Sequence, residues 1–181
     1  FKLALQAAER GDFSEAATAF LEFKAEFQGS DYAPEALFNA AYYYQQDGKI
    51  DQANQLYEQF VEEYPDNDKS RVLFFNIAVN YEATFELERA IDYYERLGAS
   101  FPADVNAADA FYNAAFLKLG LRRYEEAARG FQAYADLYDL SDEEEVVFMA
   151  GEAWEEVDSS RAIDFWAGYL RQYDNANPDR A

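Results

Sequence analysis

Apolar positions along the chain recur in a helical rhythm. Phe38, Ala41, Tyr42 and Gln45 stand at i, i+3, i+4 and i+7, and Ala53, Tyr57, Phe60 and Tyr64 at i, i+4, i+7 and i+11, so each set lies on one face of an α-helix. Both patterns then return at a fixed interval. Phe1, Phe38, Phe75, Tyr112 and Phe148 follow one another at 37, 37, 37 and 36 residues. The small residues Ala16, Ala53, Ala90, Ala127 and Ala162, and the aromatics Phe27, Tyr64, Phe101, Tyr138 and Tyr173, keep the same beat with a final step of 35. Three markers sharing one period predict a repeat of about 37 residues built from two helices. The units are 1–30, 31–67, 68–104, 105–140 and 141–175, one array over residues 1–181.

Turn residues fall where two helices per unit need them. Gly11, Gly48 and Gly120 lie between first and second helices, where a left-handed residue ends a helix without a Cβ penalty. Pro65 and Pro102 stop second helices, Ser14, Asp51 and Ser160 are placed to cap their starts, and Ser141 with Glu144 has capping-box spacing. The stripe on every second helix, such as Phe20 and Phe23 or Phe131 and Tyr134, is expected to be core.

The order Gly48-Lys-Ile-Asp-Gln-Ala53, then Tyr57 and Pro65, resembles the tetratricopeptide repeat, which runs about 34 residues. The resemblance implies an all-α chain, a right-handed α-solenoid of about five helix-turn-helix hairpins. The longer unit, with Tyr-Pro-Asp at 64–66, is similar to repeats of bacterial periplasmic proteins of the outer-membrane assembly lipoprotein and Tol–Pal coordinator type. That likeness implies a periplasmic or cell-envelope location, with the cytoplasm as the alternative. Asn177-Pro-Asp-Arg-Ala181 resembles the opening Ala33-Pro-Glu-Ala36, so a longer array is expected.

Composition narrows the function. A net charge of −21 repels nucleic acid and anionic lipid headgroups. With no Cys and no His, thiolate nucleophiles, imidazole bases and the commonest zinc ligands are absent. No cofactor or metal is expected, and Asp66, Asn67 and Asp68 lack the Gly-turned loop of a calcium site. A carboxylate-based hydrolase would have to pair Glu152 with Glu155 or Glu156, with no nucleophile opposite; a non-enzymatic scaffold is expected.

In tetratricopeptide arrays the first helices line the concave side. Phe1, Leu5, Phe38, Tyr42, Phe75, Val79, Tyr112, Phe116, Phe148 and Glu152 are expected there, as peptide contacts or as packing between helices. Asn39, Asn76 and Asn113 follow the aromatic in three consecutive units, and an amide can grip the backbone of an extended ligand or bond a neighbouring helix. Glu145, Glu152 and Glu156 share one face of the fifth first helix and would receive a basic end of that ligand. The expected partner is a protein or peptide segment with aromatic or aliphatic anchors. The alternative is a structural protein that self-associates or joins a complex through end units or its convex face.

Overall fold

A computed structural model describes residues 1–138 and 143–173; these residues form ten helices and no strand. The chain divides into two compact units, Phe1–Glu86 and Leu87–Ala181. The first holds α1 (Lys2–Glu9), α2 (Phe13–Glu26), α3 (Ala33–Gln46), α4 (Ile50–Glu63) and α5 (Asp68–Ala83). The second holds α6 (Leu87–Ser100), α7 (Ala107–Gly120), α8 (Tyr124–Leu137), α9 (Glu143–Glu155) and α10 (Ser159–Tyr173). Within each unit every helix packs on its neighbours in sequence. Odd-numbered helices are the first helices of the repeat and even-numbered ones the second.

The expected core stripe is buried at its leading positions only: Phe27, read as core, is 47% exposed, and Phe23, Tyr64, Phe101, Tyr138, Trp166, Tyr169 and Tyr173 are half-buried, because the stripe runs past the end of the facing helix toward solvent. Phe20, Tyr57 and Phe131 are inaccessible or nearly so, as are the spacing alanines Ala16, Ala53, Ala90 and Ala127. Two of these rings share a core cluster with a small residue of their own first helix, Phe20 with Ala4 and Phe131 with Ala115. In the fifth repeat the ring is the larger Trp166, and the facing residue is Gly151. A Cβ on Gly151 would lie 2.4 Å from the indole, so the loss of one methyl matches the gain of a second ring.

The turn between first and second helix is a Schellman motif repeated four times. The amides of Asp12, Lys49, Glu86 and Arg123 reach back to the carbonyls of Ala7, Tyr44, Tyr81 and Lys118 at 3.0, 2.9, 2.8 and 2.9 Å. The residue before each of these amides is left-handed: Gly11 (φ 80°), Gly48 (φ 74°), Phe85 (φ 61°) and Arg122 (φ 59°). This corrects the expectation for Gly120, which ends α7 while Arg122 takes the strained position. The fifth repeat omits the motif: the amides of Val157 and Asp158 both return to the Trp154 carbonyl, which accounts for its shorter spacing.

Three of the expected caps are also corrected. Ser14 and Asp51 lie inside the first turns of α2 and α4, whose N-cap positions are Asp12 and Lys49. At α10 it is Asp158, not Ser160, whose carboxylate accepts the amides of Ser160 and Arg161, at 2.8 and 3.0 Å. Ser141 lies outside the described residues. Pro65 and Pro102 follow α4 and α6 as expected.

Second helices also pack on the next first helix. Val61 of α4 and Phe74 of α5 are both buried, and in the second unit Phe111 of α7 lies against Gly98 of α6, where a Cβ would approach the ring to 2.5 Å. Gly98→Ala is therefore expected to destabilise the chain by roughly 1–3 kcal/mol despite alanine's helix preference, read as a lower urea midpoint. An unchanged or raised midpoint would show that the ring yields freely. Phe85→Gly and Arg122→Gly should each stabilise by about 1 kcal/mol, because only glycine holds φ near 60° without strain. A loss in either variant would mean that the native side chain holds the turn by contacts worth more than that strain.

Candidate functional site

The first-helix positions divide into two classes, one facing the hairpin and one facing solvent. In the first unit Phe38 is half-buried, with its ring 6.0 Å from both Tyr57 and Phe60 of α4. Phe1 meets Phe20 and Phe23 at 5.0 and 5.2 Å. Lys69, at the start of α5, holds its ammonium 4.3 Å over the Phe38 ring and pairs with Glu35 at 2.6 Å. Phe75 is half-buried on α5. One turn further along each first helix the side chains are open: Leu5 is 41%, Tyr42 42% and Val79 42% exposed.

The second unit repeats this division. The Tyr112 ring lies 5.9 and 6.0 Å from Phe131 and Tyr134, and its hydroxyl donates to the Met149 sulfur at 3.8 Å. Phe116, 52% exposed, stacks on Tyr112 at 6.0 Å. Phe148 packs on Trp166 at 5.0 Å but remains partly open.

The three asparagines are half-buried beside these rings. Asn39 donates to Glu35 of its own helix at 3.5 Å, the outer limit of a hydrogen bond. Among the described residues no side-chain hydrogen bond is made by Asn76 or Asn113. Glu145 and Glu152 are exposed on α9, and Glu156 lies exposed just past its end. Glu143 and Glu144 do more than face the helix dipole. They accept the hydroxyls of Tyr173 and Tyr169 at 2.6 and 3.2 Å and so join α9 to α10. Burial first, then the bond to Glu143, pushes the Tyr173 phenol above its ordinary range. Glu155 accepts the Trp166 indole N–H at 2.8 Å.

One buried arrangement escaped sequence reading. Asn80 of α5 donates to Asn54 of α4 at 2.8 Å and accepts from Gln45 of α3 at 3.0 Å, and Gln45 in turn accepts from Tyr57 at 2.9 Å. The network ties three helices, and one Asn54 amide hydrogen-bond donor group stays buried without a partner. The signal was Asn54 itself, a polar residue at the register of Ala17 and Ala128. No cluster of three or more potential metal ligands occurs among the described residues. No helix among them is long and apolar enough to cross a membrane.

Comparison with known proteins bears on the repeat itself. Residues 35–67 and 73–104 match the family model of the tetratricopeptide repeat. No curated protein matches the chain by sequence. Among solved structures, a tetratricopeptide repeat protein from Parabacteroides merdae is similar with a TM-score of 0.61 at 15% identity, over 97% of this chain and 66% of that one. MamA (AMB-1) gives 0.59 at 15% identity, over 97% and 90%. BtubC from P. vanneervenii gives 0.54 at 18%, over 97% and 79%. At such identities the likeness is one of fold. The family match thus covers residues 35–67 and 73–104, and over nearly its whole length the chain shares the fold of a tetratricopeptide repeat protein.

Proposed function

We propose that the chain is a non-enzymatic scaffold that holds a peptide or helical segment of a partner protein along its first helices. The observation that carries this reading is the split within the aromatic series. Phe1, Phe38 and Tyr112 are used inside their hairpins, whereas Leu5, Tyr42 and Val79 in one unit and Phe116 in the other are left open one turn away. Apolar anchors exposed at a repeating register suit a ligand that offers aromatic or aliphatic side chains in turn. The amides of Asn76 and Asn113 lie at the adjacent position and can take one backbone donor and one acceptor each, whatever the ligand's sequence. Glu145, Glu152 and Glu156 supply an acidic stretch for a basic end. The carrier in this proposal is a bacterial cell-envelope complex, a placement supported by the linker resemblance alone.

Peptides selected on the 181-residue chain from a random display library provide the test. Asn76→Ala and Asn113→Ala should each weaken a selected peptide by about 1 kcal/mol, roughly fivefold, with the melting temperature unchanged. Full affinity with a lowered melting temperature would assign the amides to helix packing.

A further inference from the structure

Within the two units a second helix meets the next first helix where α2 joins α3, α4 joins α5, α6 joins α7 and α8 joins α9. All but one of these joints are apolar at one shared register. The second helices carry Ala17, Ile91 and Ala128 there, and the first helices that they meet carry Tyr43, Leu117 and Ala153. Tyr43 stacks on Phe13 and Phe20 of α2 at 6.0 and 5.8 Å, and Ala128 shares a core cluster with Ala153. Where α4 joins α5 the same two positions are Asn54 and Asn80, both buried, and their amides bond to each other at 2.8 Å.

Further ties across this joint are polar. Asn80 accepts from Gln45 of α3, Tyr81 donates its hydroxyl to Glu58 of α4 at 2.7 Å, and the Ser70 hydroxyl donates to the Tyr64 carbonyl at the end of α4 at 2.6 Å. The two helices also share less contact than the partners in the other joints. Water can replace each of these bonds, so they add little net stability, whereas drying the amides costs free energy that apolar side chains do not. Part of that cost is never recovered in the closed form, because the Asn54 side-chain nitrogen has no acceptor there. Opening returns it to water. Helix α5 brings its own N-cap, since the Asn67 side chain accepts the Lys69 amide at 3.0 Å.

We propose that α4 and α5 form an opening joint: in a minor state of the folded chain α5 parts from α3 and α4, while the hairpins of α1 with α2 and α3 with α4 stay closed. Tyr42 of α3 and Val79 of α5 stand on either side of it, so opening changes the distance between two exposed first-helix side chains. A partner that prefers one spacing would shift the joint toward it. The joint is inferred from core contacts and stands whether or not those side chains hold a peptide.

Hydrogen exchange followed by NMR on the 181-residue chain tests the opening. The side-chain amide hydrogens of Asn54 and Asn80 should be protected about tenfold less than the slowest backbone amides of α3. Their exchange should also rise in urea, but less steeply, because opening bares Leu73 and Ile77 and leaves the hairpins folded. Protection equal to that of α3 at every urea concentration would overturn the proposal. So would a rate that urea leaves unchanged, which marks a fluctuation too small to part the helices. The chain has no cysteine, so Ser70→Cys places a single thiol at the buried joint. In that background Asn54→Ala with Asn80→Leu, apolar residues taken from the other joints, should slow reaction with a thiol reagent about tenfold. An unchanged rate would overturn the role of the amides in setting the opening.

Discussion

The fold depends on one contact seen in the first, fourth and fifth repeats: an aromatic ring on the second helix closed against a residue with almost no side chain on the first. A ring can bury its full face only if the opposing helix comes near, and alanine or glycine is what lets it. Ala4 under Phe20 and Ala115 under Phe131 show the ordinary form. Gly151 under Trp166 shows the same constraint with both partners changed together. Because ring and small residue are fixed in register, the turn between them is fixed too. The left-handed position therefore recurs at Phe85 and Arg122, even where the residue there is poorly suited to it.

The constraint also decides what is left for function. A first helix has one face turned to its own second helix, and the ring at the register of Phe38 is consumed there. The residue one turn on, at the register of Tyr42, cannot reach that partner and stays open. Surface and core are thus adjacent stripes of one helix, set by its period rather than by residue type.

Much of this was legible in the sequence, because periodicity survives substitution: the repeat, the buried stripe and the prolines after α4 and α6 all follow from spacing. What spacing could not separate was the two first-helix classes, since Phe38 and Tyr42 both look apolar at i and i+4. Nor could it locate the left-handed residue. Gly120 drew attention by composition, whereas Arg122 adopts that conformation because the Schellman bond from Arg123 to Lys118 demands it. The network of Gln45, Asn54, Tyr57 and Asn80 requires three helices at once, and no single-helix pattern encodes it.

The few cations explain why a chain with a charge of −21 would prefer a basic partner over one merely tolerated by it. Several are committed between neighbouring repeats: Lys24 to Glu63, Lys69 to Glu35, Arg123 to Glu88 and Arg161 to Glu125, at 2.9, 2.6, 2.5 and 2.8 Å. Where solvent reaches them, such pairs add little to stability. Their larger effect is on what remains. A cation tied to one carboxylate cannot screen another, so the excess acids carry an uncompensated field that draws positive segments toward the chain and speeds their encounter. Such a field selects sign but not position. Selection of position falls to the apolar side chains left open along the first helices, Leu5, Tyr42, Val79 and Phe116.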